Sequence, residues 1–197
     1  MKKAVFFLLD EYAEWESAFL SSRLAMSKQW SVATASLERG VCKSMGGFTT
    51  VVDYALMDIP GDTALLVLVG GNAWSLDSSE LRERVAACLA TGVVVAAICG
   101  AVDFLARNGL LNDYRHTGNA QHLWAEYPEY RHHAGFIAAQ TVRDRNLITA
   151  NGTAAMEFSE SVLKSLHAGD SAEIEMEHKL FKMGYHDYVL QYGNPFA

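Results

Sequence analysis

Short apolar segments of strand length alternate along this chain with segments whose apolar residues recur at helical spacing. Continuous apolar or alternating strand-like segments lie at residues 4–9, 30–36, 64–69 and 93–98. Helical patterns lie at residues 17–26, 79–90, 102–108, 156–167 and 171–183. Continuous apolar runs are typical of strands that are buried on both faces of a parallel sheet. The alternation therefore predicts βαβ units around a mostly parallel sheet, in an α/β fold.

Turn-forming and capping residues separate several of these segments. Ser78 or Ser79 is placed to cap the helix predicted from residue 79, and Gly92 to follow its last turn. A glycine pair interrupts residues 43–52, and polar turn residues interrupt residues 141–149. Both interruptions predict short hairpins.

Length and composition indicate one globular domain. The chain has 197 residues, of which 50% are hydrophobic and 20% are charged. A chain of this size can bury a large apolar core. Because we find no linker, low-complexity segment or internal repeat, we expect a single domain over residues 1–197.

The charge distribution favours a small molecule as the binding partner. The formal net charge is −7, and the longest basic cluster is Lys2-Lys3, whereas phosphate neutralisation needs a focused basic patch. Nucleic acid is therefore not expected as a partner. The apolar run at residues 4–9 ends at Asp10, too early for a signal peptide or a membrane span. We expect a cytoplasmic protein that does not contact membranes.

The cysteine content argues against disulfides and structural metal sites. The chain has three cysteines, Cys42, Cys88 and Cys99. They form no CxxC pair and no cluster with histidines at zinc-binding spacing. We therefore expect reduced thiols and neither a metal ion nor an organic cofactor.

Cys99 ends an apolar run and is followed directly by Gly100 and a helical pattern. This arrangement predicts a nucleophile elbow, a tight turn that holds a side chain between a buried strand and a helix. Backbone N–H groups at the start of a helix favour a thiolate there. A buried and inert core thiol is the alternative interpretation, and this segment alone leaves both open.

Two acids and several glycines are expected at the same sheet edge as Cys99. Glu14 and Glu16 follow the first predicted strand, and Gly70-Gly71 follows the third. Loops at the carboxyl ends of parallel strands gather at one edge. A glutamate beside the thiol could exchange its proton, and Gly71 and Gly100 could donate backbone N–H groups to an oxyanion. The alternatives are solvated carboxylates in the first turn of a helix and an ordinary glycine turn.

Among the seven histidines, His116 is the candidate for a catalytic base. It lies in a short strand predicted at residues 113–117, after the helix that begins behind Cys99. Trp15 and Trp74 are candidates to line the pocket, although isolated aromatic residues near loops commonly serve packing alone.

Four segments taken together resemble the ThiJ/PfpI family, in the same order and over nearly the whole chain. They are the Glu16 loop and residues 69–72 (Val-Gly-Gly-Asn), 96–101 (Ala-Ala-Ile-Cys-Gly-Ala) and 150–153 (Ala-Asn-Gly-Thr). The resemblance implies a flavodoxin-like three-layer sandwich with a mostly parallel central sheet, and a homodimer. The family includes deglycase- or glyoxalase-type enzymes, cysteine peptidases and chaperones, and class I glutamine amidotransferases share the elbow.

The resemblance also implies roles for individual residues. Cys99 matches the reactive cysteine, Glu16 the acid that hydrogen-bonds it, and Gly71 and Gly100 the oxyanion amides. Gly100 stands where the peptidase branch has a histidine, so we do not expect peptidase activity. The histidine that the deglycase branch carries later in the chain falls at Gly118 or Asn119.

We therefore expect a cysteine-dependent enzyme that acts on a small carbonyl compound or a small amide. Cys99 would be the nucleophile, Glu16 would poise it, and His116, Gly118 and Asn119 would lie at or near the pocket. Two alternatives remain. One is an oxidative-stress sensor or chaperone-like protein that uses oxidation of Cys99, and the other is a non-catalytic module that binds a small ligand.

Overall fold

The computed structural model describes residues 1–196, and Ala197 lies outside them. Within these residues the strands are β1 (Lys2–Phe7), β2 (Trp30–Ser36), β3 (Val41–Lys43), β4 (Thr49–Val51), β5 (Tyr54–Ala55), β6 (Thr63–Leu68), β7 (Val94–Ile98), β8 (Thr141–Asp144) and β9 (Leu147–Ala150). The helices are α1 (Glu14–Met26), α2 (Ser79–Ala90), α3 (Gly100–Arg107), α4 (Ala155–Ser165), α5 (Ser171–Met183) and α6 (Tyr185–Tyr192). Short 3₁₀ turns lie at Leu56–Asp58, Gln121–Trp124 and His133–Gly135.

Seven strands form one sheet in the order β5-β2-β1-β6-β7-β9-β8. All neighbours in it run parallel except β8 and β9, which form an antiparallel hairpin. The remaining strands, β3 and β4, form a separate antiparallel hairpin with Val41 opposite Val51. The predicted mostly parallel sheet and both predicted hairpins are confirmed.

Side chains from the two faces of the sheet enter two separate cores. Val5 and Phe7 point to the face that α2 and α3 cover, in a cluster that includes Phe104. Ala4 and Phe6 point to the opposite face, where they join a cluster with Leu20 of α1 and Phe158 of α4. Adjacent residues of a strand face opposite ways, so the continuous apolar runs supply both cores. The architecture is the predicted three-layer α/β sandwich.

The parallel arrangement brings four chain segments to one edge of the sheet. The carboxyl ends of β1, β6, β7 and β9 lie side by side, because these strands are parallel neighbours. They lead respectively into α1, into Gly70-Gly71, into Cys99 and into residues 151–153. This edge is where open α/β sheets place their sites.

The structure differs from the predicted elements at several points. Residues 113–117 are not a strand: the segment makes tight turns, and only His116 pairs with another chain segment, through a bridge to Phe136. The first helix begins at Glu14 and not at residue 17, because Glu14 and Glu16 form its first turn. The sequence pattern also gave no signal for α6. No helix among the described residues is both long and apolar enough to cross a membrane.

Candidate active site

Cys99 lies at a strained turn between β7 and α3. Its backbone has φ 59° and ψ −129°, a conformation that costs a non-glycine residue about 1–3 kcal/mol. Its N–H donates to the carbonyl of Ala150 at 3.0 Å, and its own carbonyl accepts from the N–H of Val102 at 2.9 Å. These bonds hold the turn in place, and the predicted nucleophile elbow is confirmed.

Glu16 is buried beside Cys99, in the first turn of α1. The residue is 2% exposed, and its Oε2 atom has no hydrogen-bond partner of good geometry among the described residues. Burial raises the pKa of Glu16 to about 7, against the weaker lowering effects of the Cys99 thiol and the Gly70 amide. A carboxyl group with such a pKa can take up or release a proton at neutral pH.

Two glycines allow the thiol and the carboxyl group to approach each other. A β-carbon at Gly152 would lie 2.8 Å from Cys99 Sγ and 3.2 Å from Glu16 Oε1. A β-carbon at Gly70 would lie 2.6 Å from Cys99 Cβ and would also meet the Glu16 carboxylate. Any larger residue would displace one of the reacting groups. In the sequence, Gly152 stands out only as part of the motif at residues 150–153, so its contact with both the thiol and the carboxyl group was missed.

The pKa of the Cys99 thiol is raised above its ordinary value. Burial is the main cause, and the negative charge of Glu16 acts in the same direction, whereas the amides of Asn119 and Gly100 oppose them. The amide of Gly100 at the helix start lowers this pKa, as expected, but burial outweighs it. Because Cys99 and Glu16 interact, their protons come off in coupled steps that belong to the pair.

Asn119 makes the polar contact to the sulfur. Its Nδ2 donates to Cys99 Sγ at 3.5 Å, while its Oδ1 accepts from the N–H of Gly152 at 2.9 Å. Gly118 packs against the indole of Trp124, since a β-carbon there would lie 2.6 Å from Cζ2. Of the two positions that matched the histidine of the deglycase branch, only Asn119 reaches the sulfur.

The structure does not bring His116 to the sulfur. The residue is fully buried, and both ring nitrogens are occupied: Nδ1 lies 2.7 Å from the carbonyl of Tyr114 and Nε2 lies 2.9 Å from the hydroxyl of Tyr130. A carbonyl can only accept, so Nδ1 carries the proton and Nε2 accepts from the tyrosine. Burial lowers the pKa of His116. Its predicted catalytic role is therefore replaced by a packing role in an aromatic cluster.

Gly71 and Gly100 lie against each other next to Cys99. A β-carbon at Gly100 would lie 2.7 Å from the carbonyl oxygen of Gly71 and 3.2 Å from Cδ1 of Trp74. Gly71 has φ 152°, and a β-carbon on it would lie 2.7 Å from Cα of Tyr12. Only glycine fits at either position. Both residues border the cavity beside Cys99, and their role as oxyanion donors stays a prediction.

A cavity of about 340 Å³ opens over the sulfur, lined by Gly71, Trp74, Cys99, Gly100, Asp103 and Asn119 among others. Trp74 is buried and donates from Nε1 to the carbonyl of Val69 at 2.8 Å, which fixes its ring under the cavity. Trp15 does not line this space: it is 51% exposed at the start of α1. The volume suits a small molecule.

Two charged residues of α3 border the cavity and were missed by sequence reasoning. Asp103 accepts a hydrogen bond from Nε1 of Trp124 at 2.6 Å, and burial raises its pKa. Arg107 donates from Nη2 to the carbonyls of Trp74 and Leu76 at 2.9 and 2.7 Å. Asp103 could have been found from its position four residues after Cys99, because residues four apart share one helix face.

The fold and this edge define an α/β protein of the flavodoxin-like type, with a cysteine elbow and a buried glutamate. Comparison with known families gives the assignment: the chain belongs to the DJ-1/PfpI family, whose model matches residues 2–165.

Individual relatives agree with this assignment. The chain is 44% identical, over 100% of both chains, to the "Uncharacterized protease YdeA" of Bacillus subtilis. It is 30% identical to the "Uncharacterized protease YoaZ" of the same organism, over 98% of this chain and 97% of that one. Among solved structures, a thiJ/pfpI family protein from Bacillus anthracis superposes with a TM-score of 0.89 at 30% identity, covering 96% of this chain and 94% of its own.

Proposed function

We propose that this protein is a cysteine-dependent enzyme that acts on a small carbonyl compound or a small amide. The observation that carries the proposal is the convergence of Cys99 Sγ and the buried Glu16 carboxyl group on Gly152. A cysteine that lines a cavity of suitable size thus lies beside a buried group able to hold its proton. Membership of a family with protease-named relatives is consistent with a hydrolase.

The reaction with an aldehyde proceeds by addition. The sulfur of Cys99 forms a bond to the carbonyl carbon, the π electrons move to the carbonyl oxygen, and the thiol proton passes to Glu16. The N–H groups of Gly71 and Gly100 donate to the oxygen as its charge develops. Return of the proton from Glu16 to that oxygen gives a neutral hemithioacetal.

The size and composition of the site favour small substrates over polypeptides. The cavity of about 340 Å³ lies at the lower end of the range for ligand pockets. Gly100 follows the cysteine where a peptidase of this family would have a histidine, and His116 is held elsewhere by Tyr114 and Tyr130. The protein is therefore proposed to cleave or convert small molecules, whatever the names of its relatives.

A redox function is the second candidate, and the contact of Asn119 with the sulfur favours it. The Nδ2 donor at 3.5 Å would also stabilise the oxygen atoms of an oxidised cysteine. Cys42 and Cys88 are buried, whereas Cys99 is partly exposed. Peroxide titration with intact-mass analysis should then oxidise Cys99 first, and oxidation of all three cysteines at one rate would exclude this role.

The test of the enzymatic proposal is a panel of 2-oxoaldehydes and small amides assayed with the wild type and Cys99→Ala. We expect Cys99→Ala to abolish turnover of every active substrate, because no second thiol lines the cavity among the described residues. Cys88→Ala on α2 is the matched control and should retain activity. Unchanged turnover by Cys99→Ala would refute the proposal, and tight ligand binding without turnover would favour a binding module.

A further inference from the structure

Asp103 lies one helical turn beyond Cys99 on α3 and borders the same cavity. Residues four apart share one face of a helix, and helical side chains lean toward the N-terminus. For Asp103 this direction leads back toward the sulfur. Its carboxyl group therefore faces the space where the part of a substrate beyond its carbonyl carbon would lie.

The orientation of Asp103 is set by Trp124. The indole Nε1 donates to Oδ1 of Asp103 at 2.6 Å, and the tryptophan is fully buried. The Trp124 ring packs against His116, Tyr130 and Phe136, with ring centroids 5.1 to 5.8 Å away. Among residues 1–196 no hydrogen bond reaches Oδ2, so one oxygen is anchored and the other is available to a ligand.

Arg107 does not neutralise this carboxyl group by direct contact. Its Nη2 donates to two backbone carbonyls, those of Trp74 and Leu76. Within the described part of the chain the two side chains form no ion pair. Burial raises the pKa of Asp103, against the lowering effects of the Trp124 hydrogen bond and the nearby charge of Arg107. A substrate that displaces water from the cavity will raise it further.

Apart from Asp103, the described residues of the site include no carboxyl or imidazole group that could donate a proton to a substrate atom on the α3 side of the cavity. Glu16 is not among the residues that line the cavity, and both nitrogens of His116 are occupied. Cleavage of an amide needs a proton on the departing nitrogen, because an amide anion is too basic to leave. Asp103 lines the cavity that would hold that nitrogen.

We propose that Asp103 is the catalytic acid that protonates the leaving nitrogen of a small amide substrate, an assignment that rests on Cys99 being the nucleophile. Sγ attacks the carbonyl carbon and its proton passes to Glu16. The C–N bond then breaks as the nitrogen takes the proton of Asp103, which leaves a thioester and a free amine. Water attacks the thioester and returns a proton to Asp103, and the departing sulfur regains its proton from Glu16. The sum is amide plus water giving acid plus amine.

The test compares two acyl donors with the same acetyl group, p-nitrophenyl acetate and p-nitroacetanilide. p-Nitrophenolate departs without protonation, whereas p-nitroaniline requires it. We expect Asp103→Asn to lower p-nitroaniline release in the first turnover at least about 100-fold, the usual size of a general-acid effect, and to change the first-turnover burst of p-nitrophenolate less than about twofold. The comparison uses the first turnover because hydrolysis of the shared acetyl thioester, in which Asp103 takes a proton from water, comes after it. The matched control is Asp187→Asn, an exposed acid on α6, which should change neither rate.

The pH profile provides a second readout that a structural role would not move. In the wild type, kcat/KM for the anilide should fall as pH rises through the pKa of Asp103, and this limb should vanish in Asp103→Asn. Asp103→Glu keeps an acid and should restore part of the anilide activity. The dependence of Cys99 alkylation on pH should be unchanged in both variants.

Three results would overturn the assignment. The first is an equal loss of both activities in Asp103→Asn, which would indicate a structural role. The second is a wild-type protein that releases p-nitrophenolate through Cys99 but no p-nitroaniline. The third is p-nitrophenolate release that survives Cys99→Ala, which would remove the proposed nucleophile itself. The first two results leave the function proposed for Cys99 standing.

Discussion

Replacing Glu16 with glutamine should change the way in which Cys99 ionises. Sγ and Oε1 both lie near the position that a β-carbon on Gly152 would take, at 2.8 and 3.2 Å from it. The two atoms are thus at most about 6 Å apart. At that separation two negative charges repel by about 3 kcal/mol at an effective dielectric constant of about 20, which is about two pKa units.

The wild-type pair should therefore lose its two protons in separate steps. The first should come near the pKa of about 7 that burial gives Glu16, and it yields a single charge shared between the carboxyl group and the sulfur. The second should come at higher pH, because of the repulsion between two charges. Glu16→Gln has one ionisable group left, and its single step should lie below the upper step of the wild type.

The assay is the rate of iodoacetamide alkylation at Cys99 against pH, followed by intact mass. The rate reports the thiolate fraction, so the wild type should give two steps and Glu16→Gln one. Glu14→Gln is the matched control in the same helical turn: its Oε2 accepts from the Gly46 N–H at 3.2 Å, away from the cavity. Superimposable profiles for the wild type and Glu16→Gln would refute the coupling between the two groups.

Two further predictions follow from packing. Gly152→Ala would place a methyl group 2.8 Å from Cys99 Sγ, so alkylation at Cys99 should slow at least about tenfold while the fold persists. Gly169→Ala is the control, because its β-carbon would lie 3.7 Å from Ile174, and it should alkylate like the wild type. Equal alkylation rates in Gly152→Ala and the wild type would contradict this account. Phe48, on the β3–β4 hairpin near the start of α1, is 66% exposed. We predict that the surface around Phe48 forms the interface between two copies of the chain in a homodimer. Light scattering on Phe48→Asp should then give the monomer mass, Leu190→Asp on α6 should stay dimeric, and a monomeric wild type would contradict the prediction.

The parts of the fold that the sequence predicted are those that local physics controls. The caps of α2 are an example: the Ser78 side chain accepts from the N–H of Leu81, and Gly92 has φ 81° after the last turn. The elbow at Cys99 is another, because a buried strand, a small residue and a helix follow one another directly. In each case the residues that decide the conformation are neighbours in the chain.

The errors arose where distant contacts decide the outcome. His116 has the sequence surroundings of a loop histidine, yet Tyr130, fourteen positions further on, and Trp124 enclose it. The raised pKa of Cys99 has a similar origin: the helix start is local, but burial and the charge of Glu16 come from other parts of the fold. The spacing of residues along the chain could not predict the position of Gly152 either, because the pairing of β9 with β7 brings it to the site.

The three ionisable groups around the cavity suggest how a site without a histidine can work. The pKa values of Cys99, Glu16 and Asp103 are all raised, chiefly by burial. Burial opposes the charged form of each group, whereas the proposed reaction needs Glu16 ionised to take up the thiol proton and Asp103 protonated to release one. In the proposed reaction, Glu16 receives the thiol proton as the sulfur attacks the substrate carbonyl, and Asp103 gives a proton to the leaving nitrogen. Two carboxyl groups in different surroundings thereby divide the work that one histidine performs in a cysteine–histidine pair.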